Sequence, residues 1–195
     1  MRRVLVIDDH QPSRRHLVAI LNSGGYEVTG EGASGKVALA LARSAAPEVI
    51  LMAVGLSDVD GIETSRDVMR AHPLPIVLIT SHYDATTIER AKRAGVMGYL
   101  VKPLRAEELS PAIELAITRF QDFVALRAEN TSLKETLEAR KTIERAKGLL
   151  MQQRYLSEDQ AYTLIKKTSM NMRKPMAEVA QAIILAGGFF KADKI

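Results

Sequence analysis

The chain has 195 residues, of which 47% are hydrophobic and 26% charged, and it contains no cysteine. This is the balance of a globular protein with one large or two small domains, and it excludes a disordered or collagen-like polymer. Without cysteine, the chain has no disulfide, no thiolate nucleophile and no cysteine-based zinc site. The apolar runs are too short for a signal peptide or a membrane span, so we expect a soluble, cytoplasmic protein with no membrane partner.

The net charge of +4 is unevenly distributed along the chain. Residues 1–120 contain equal numbers of basic and acidic side chains, whereas the segment from Arg140 onward contains eleven basic and five acidic ones. This excess favours contact between the carboxyl-terminal segment and a polyanion. A solvated helical surface would show the same excess, so composition alone leaves both interpretations open.

The first 120 residues alternate short apolar, β-branched runs with segments of helical periodicity. The runs that predict strands are residues 4–7, 27–29, 49–52, 76–80 and 99–101. Each intervening segment is long enough for a crossover helix between parallel strands. The pattern therefore predicts an α/β fold with a doubly wound, five-stranded parallel sheet.

From residue 112 the strand signals stop and a long helix is predicted over 112–139, a stretch without glycine or proline. One apolar seam in it has alternating spacings of three and four, and its positions are Phe123, Leu126, Asn130, Leu133 and Leu137. This heptad spacing is typical of a coiled coil, in which a buried Asn130 sets the register and favours a parallel homodimer. The seam could instead pack on the chain's own amino-terminal domain or on its carboxyl-terminal helices.

Three short amphipathic helices are predicted at the carboxyl-terminal end of the chain. The first covers residues 140–155, and the second follows Ser157, which forms a capping box with Gln160. The third begins at Pro175 and ends at two glycines, 187 and 188. The predicted organisation is thus a domain over 1–120, a coiled-coil linker helix over 112–139 that continues from the last helix of that domain, and a three-helix domain over 135–190.

Polar side chains stand at the ends of three predicted strands. Asp8 and Asp9 follow the first strand, Thr80 and Ser81 stand at the end of the fourth, and Lys102 follows the fifth. The carboxyl ends of parallel strands meet at one edge of the sheet, so these side chains should converge there. Adjacent carboxylates suit Mg²⁺, and a hydroxyl with a lysine suits a phosphoryl group. Taken singly, such an aspartate often caps a helix and such a lysine is often only solvated.

Four sequence motifs in this order, VLVIDD, GLSDVDGIE, VLITS and GYLVKP, make the amino-terminal domain resemble a response-regulator receiver domain. The resemblance implies a flavodoxin-like fold and a Mg²⁺ site held by Asp8 and Asp9. It also implies that Thr80 is the switch hydroxyl and Tyr99 the switch aromatic. By the same resemblance, Lys102 contacts the phosphoryl group.

The family's phosphoacceptor aspartate ends the third strand, eight residues before the glycine of the turn. Counting back from Gly61 gives Ala53, whose methyl group can neither accept a phosphoryl group nor ligate a metal. The resemblance thus implies weakened or absent Mg²⁺ binding and a cognate histidine kinase only for an aspartate-bearing form. A natural loss and a single engineered substitution would both explain Ala53. Retention of the other pocket residues favours the second.

The basic segment contains AKGLLM at 146–151 and SEDQAY at 157–162, and with these motifs it resembles the ANTAR domain. That resemblance implies a transcription antitermination regulator that binds RNA with paired hairpin loops. Tyr162 could stack on an unpaired base or belong to the helical core. The candidate phosphate contacts are Lys141, Arg145, Lys147, Lys166, Lys167, Arg173 and Lys174, with Lys147 favoured because it belongs to the motif.

The sequence as a whole predicts a two-domain, RNA-binding response regulator that is not an enzyme. Two alternatives remain. The chain could be a phosphorylation-independent adapter controlled by a protein or a small ligand. It could also be a DNA-binding regulator, although the basic segment lacks a recognition helix rich in base-reading residues.

Overall fold

The computed structural model describes residues 1–82 and 84–189, and its backbone forms one parallel sheet with strand order β2-β1-β3-β4-β5. The strands are β1 (Arg3–Ile7), β2 (Glu27–Gly32), β3 (Val49–Ala53), β4 (Ile76–Thr80) and β5 (Gly98–Val101). The helices between them are α1 (Gln11–Ser23), α2 (Gly35–Ser44), α3 (Gly61–Ala71) and α4 (Ala85–Arg93). The predicted doubly wound α/β fold is confirmed.

The sheet is covered on both faces, which accounts for the unbroken apolar runs of its central strands. Every residue of β3 and β4 is buried. On one face Leu17 of α1 packs with Leu109 and Ile113 from the helix that follows β5. On the other face Ile62 of α3 and Ala91 of α4 belong to a second apolar cluster. In β3 and β4, polar side chains therefore have room only at the ends of the strands.

One helix, α5 (Ala106–Arg154), takes the place of the two helices predicted over 112–139 and 140–155. It begins before the predicted start and includes Pro111. The predicted break near residue 140 was wrong because no glycine or proline stands there to end the helix. The chain divides into two compact units, Met1–Val124 and Ala125–Ile195, and α5 contributes residues to both.

The second unit also contains α6 (Glu158–Met172) and α7 (Met176–Phe189). The capping box is confirmed: the Ser157 hydroxyl accepts from the Gln160 amide at 3.2 Å, and the Gln160 side chain accepts from the Ser157 amide at 2.9 Å. The predicted end of the last helix at its two glycines was wrong, since α7 continues to Phe189. The buried apolar core of the second unit consists of Ala146, Leu150, Ala161, Ile165, Val179 and Ala180.

No helix within the described part of the chain is both long and apolar enough to cross a membrane.

Gly61 closes the loop between β3 and α3, and a substitution there tests how tightly that loop is packed. The Gly61 amide donates to the Val54 carbonyl at 2.8 Å, and a Cβ at this position would fall against the carbonyl oxygen of Ala53. We expect Gly61→Ala to lower the free energy of unfolding by about 1–3 kcal/mol, because the backbone would have to move. Urea unfolding followed by circular dichroism measures this change.

The matched control for this substitution is Gly55→Ala in the same loop. A Cβ on Gly55 would meet no atom within 4 Å, so this variant should be as stable as the parent or slightly more stable. Equal stability of the two variants would contradict the tight packing of Gly61 on Ala53.

Candidate functional site

A cavity of about 440 Å³ lies at the carboxyl ends of the strands in the first unit. The loops after β1, β3, β4 and β5 supply most of its lining. The residues that line it are Asp8, Asp9, His10, Ser13, Ala53, Gly55, Ile79, Thr80, Ser81, His82 and Lys102. The structure thus brings Asp8, Asp9, Ala53, Thr80 and Lys102 together, as expected from their positions at strand ends.

Asp8 and Lys102 form an ion pair inside this cavity. The Lys102 ammonium group donates to Asp8 Oδ2 at 2.7 Å, and the backbone amide of His10 donates to Oδ1 at 2.9 Å. Asp8 is only 2% exposed, so its carboxylate would be costly to bury without these partners. Both of its oxygens are therefore satisfied by the protein itself.

Ala53 ends β3, where it lies opposite Ile79 of β4, and it is buried against the cavity. Its methyl group offers no oxygen to a cation. Mg²⁺ needs several oxygen ligands in near-octahedral geometry, and here Asp9 is the one lining carboxylate without an ion pair to any described residue. No group of three or more His, Asp or Glu side chains in the described ranges is arranged to hold a metal. The pocket therefore offers a cation two neighbouring carboxylates, one of them already paired with Lys102, and Ala53 adds no third ligand.

Thr80 and Tyr99 both contact the segment that follows β4. The Thr80 hydroxyl accepts from the His82 amide at 3.2 Å, and the Tyr99 hydroxyl donates to the His82 carbonyl at 2.9 Å. Thr80 lines the cavity, whereas the half-buried Tyr99 lies outside its lining. His10 and His82 also line the cavity, and neither is predicted from the sequence. Each lies within three residues of a strand end, and this position is the signal that could have identified them.

Lys147 was the favoured phosphate contact, but the structure gives it a different environment. Its side chain is buried, and its ammonium group donates to Glu158 at 2.7 Å and to Glu144 at 2.9 Å. Hydrogen bonds from these carboxylates raise the pKa of Lys147, Glu158 contributing most, and Lys147 in turn lowers the pKa of Glu158. Lys147 therefore links α5 to α6, and a phosphate would have to compete with two carboxylates for it.

The remaining basic candidates fall into two groups according to their ion pairs. Lys141 pairs with Glu138 at 2.7 Å, and Lys174 pairs with Glu178 at 3.3 Å. Other basic side chains are exposed and form no ion pair with any described residue, namely Arg145, Lys166, Lys167 and Arg173. Tyr162 on α6 is 44% exposed, so part of its ring is accessible. The second unit thus presents free positive charge and an accessible ring.

Comparison with known proteins identifies both units. Residues 4–114 match the family model described as response regulator receiver domain, and residues 131–184 match the model described as ANTAR domain. The chain belongs to the response-regulator family and carries an ANTAR domain. Receiver domains generally bind Mg²⁺, and proteins of these two families are not typically enzymes.

Among individual proteins, the chain is similar to the transcriptional regulatory protein PdtaR of Mycobacterium tuberculosis. The two are 39% identical over 183 residues, which cover 94% of this chain and 89% of PdtaR. The chain is also similar to the response regulator protein VraR of Staphylococcus aureus. These two are 34% identical over 113 residues, which cover 57% of this chain and 54% of VraR. The PdtaR similarity thus includes both units, whereas the VraR match covers little more than half of either chain.

Solved structures show the same receiver fold. The signal receiver domain of a modulated diguanylate cyclase from Desulfovibrio desulfuricans G20 is 35% identical with a TM-score of 0.58, covering 62% of this chain and 97% of that one. The response regulator domain of Thermotoga maritima CheB is 28% identical with a TM-score of 0.57, covering 60% and 97%. Both coverages correspond in extent to the first unit.

The ion pairs of Lys147 predict a specific pH dependence of stability. Because folding lowers the pKa of Glu158, its ionised carboxylate stabilises the fold at pH values above the ordinary pKa of 4.5, and this contribution is lost as the pH falls through the pKa in the folded chain. Because folding raises the pKa of Lys147, its ammonium group stabilises the fold at pH values below the ordinary pKa of 10.5, and this contribution is lost as the pH rises through the pKa in the folded chain. Lys147→Met keeps the apolar stem but removes both contributions.

We therefore expect the difference in unfolding free energy between parent and Lys147→Met to be constant near neutral pH and to shift against the parent in acid, below pH 4.5. Urea unfolding at a series of pH values measures this difference. Lys141→Met is the control, since both partners of that surface pair are mostly exposed. Parallel pH profiles for the parent and Lys147→Met would show that ionisation of Glu158 beside Lys147 does not affect stability.

Proposed function

We propose that this chain is an RNA-binding transcription antiterminator of the response-regulator class. Its second unit binds RNA with paired hairpin loops, and its receiver works without aspartyl phosphorylation. The observation that carries the proposal is the set of exposed basic side chains without ion pairs, on a helical unit that matches the ANTAR domain. The similarity to a transcriptional regulatory protein along nearly the whole chain supports it.

Phosphate contacts and base contacts have separate roles in this proposal. Arg145, Lys166 and Lys167 are exposed and not neutralised by described carboxylates, so they are available to RNA phosphates. Such contacts position RNA but carry no sequence information. Hairpin loops add unpaired bases, and proteins read these by stacking them on aromatic rings. Tyr162 offers a partly exposed ring for that purpose.

We also propose that a second copy of the chain packs along the seam of α5. Leu126, Leu133 and Leu137 are each more than half exposed, and Asn130 between them is exposed too. A parallel pair would cover the leucines and present two RNA-binding units to two hairpins, so that avidity raises the affinity.

We infer a phosphorylation-independent role from the receiver pocket, and we propose that the chain acts in the cytoplasm without catalytic activity. Ala53, which the motif spacing assigns to the acceptor position of the family, carries no side-chain oxygen, and the Asp8–Lys102 ion pair satisfies the buried carboxylate without a metal. This same observation favours the second candidate function, an adapter whose receiver responds to a protein or a small ligand. A cognate histidine kinase would act on the Ala53→Asp form.

The RNA proposal predicts a preference that filter binding can measure. We expect the full-length chain to retain a two-hairpin transcript with randomised loops in the presence of a hundredfold excess of duplex DNA. We further expect Arg145→Ala with Lys166→Ala to weaken binding at least about tenfold and to reduce the salt dependence by about one unit of slope per lost phosphate contact.

A double variant with the same change in charge, Lys141→Ala with Lys174→Ala, is the control. Both lysines are already paired with glutamates, so their loss should weaken RNA binding less. Competition by duplex DNA at equal affinity would overturn the RNA proposal and favour a DNA-binding regulator.

The pocket assignment predicts the result of restoring one carboxylate. We expect Ala53→Asp to incorporate phosphate from radiolabelled acetyl phosphate with Mg²⁺, whereas the unaltered chain incorporates none, because a methyl group has no nucleophilic oxygen. The solution mass and the RNA affinity of both proteins are measured in parallel. Equal labelling of the two proteins would refute the assignment of Ala53, and labelling without any change in mass or affinity would favour the adapter.

A further inference from the structure

Tyr155, between α5 and α6, combines two unfavourable features. It is 93% exposed, more than any other large apolar or aromatic side chain among the described residues. Its backbone is left-handed, with a φ of 56°. A residue with a Cβ is disfavoured in this conformation, and glycine or asparagine usually occupies it. Since the side chain is almost fully exposed, its ring gains little packing against the described residues in return.

A cavity of about 420 Å³ begins at the next residue, Leu156. Its lining residues are Leu156, Asp159, Gln160, Thr163, Leu164 and Lys167. Two leucines form the apolar part of the lining, and the other side chains supply hydrogen-bond donors and acceptors. The volume is within the range of sites that bind small organic groups.

The chemistry of the lining favours an unpaired nucleobase as the occupant. The Asp159 carboxylate disfavours a phosphate within the cavity but can accept from the N–H groups of a base. Gln160 Oε1 already accepts from the Ser157 amide at 2.9 Å, which leaves its NH₂ group to donate to a base. Lys167 has no ion pair with a described residue and can contact the phosphate attached to that base.

We propose that Tyr155 and this cavity form a base-reading site of the second unit. The Tyr155 ring stacks on an unpaired loop base, the open cavity receives a base whose edge meets Asp159 and Gln160, and Lys167 holds the phosphate. The site rests on the proposed RNA-binding function and gives that function its selectivity, which phosphate contacts alone cannot supply.

Tyr155→Gly tests the stacking role, because it removes the ring and at the same time relieves the left-handed backbone. The probe is a two-hairpin transcript that the full-length chain has itself selected from a library with randomised loops. We expect the melting temperature to stay the same or rise while the affinity falls about 5- to 100-fold, the effect of one lost base–aromatic stack. Tyr155→Phe keeps the ring and should bind within about threefold of the parent.

The same transcript with abasic loops separates stacking from charge. Parent and Tyr155→Gly should bind it equally, since phosphate contacts remain and no base is left to stack. Asp159→Asn is expected to select loops of different sequence from the library, because its amide can donate where the carboxylate only accepts. Identical loops selected by Asp159→Asn and the parent would overturn the reading role of the cavity.

The outcomes for this site and for the proposed function are distinguishable. If the parent prefers hairpins to duplex DNA but Tyr155→Gly binds them equally well, the base-reading site is wrong and RNA binding stands. A lower melting temperature for Tyr155→Gly, or an equal loss on abasic loops, would make the ring a structural element and overturn the site. A change of solution mass with unchanged RNA affinity would assign the ring to a protein interface. No preference of the parent for hairpins would refute the proposed function itself.

Discussion

Burial of the central strands on both faces is the constraint that places the receiver pocket. Every residue of β3 and β4 is buried, so a charged side chain within either strand would lose its hydration. Charge can accumulate only where the strands end, and there Lys102 lies close enough to neutralise the buried Asp8. The ion pair is thus a consequence of the covered sheet, and both of its partners line the same cavity as the methyl group of Ala53.

In the second unit, ion pairing decides which positive charges remain available. Lys147 is withdrawn from solvent by Glu144 and Glu158, and its raised pKa keeps it charged in this role. Lys166 and Lys167 on α6 keep their charge exposed without a described acidic partner. The net positive charge of the segment therefore overstates what a polyanion can contact, since part of it holds the helices together. The number of unpaired cations, rather than the total, governs the expected salt dependence.

The sequence predicted the strands and the pocket because both depend on local signals. Apolar β-branched runs identify buried strands, and a polar residue at the end of such a run must lie at the edge of the sheet. It did not predict the partner of Lys147, because Glu158 lies on another helix and spacing shows only neighbours on the same one. Nor did it predict the left-handed Tyr155, since tyrosine carries no preference for that conformation. The ion pair of Lys147 and the conformation of Tyr155 could therefore be found only from the coordinates.

Under the proposed assignment of Ala53 to the acceptor position, the receiver responds only to another differential interaction, because a two-state equilibrium shifts only when a ligand favours one state. In the proposed dimer, the exposed leucines of α5 supply one such interaction, the binding of a second copy. RNA with two hairpins supplies another in the same proposal, since it would bind a pair more tightly than a single chain. By linkage, any preference of RNA for the pair is matched by an equal increase in pairing when RNA is bound. In the proposed function the RNA is therefore itself an activator of the dimer, and the concentration of the chain takes over the control that a phosphoryl group would exert.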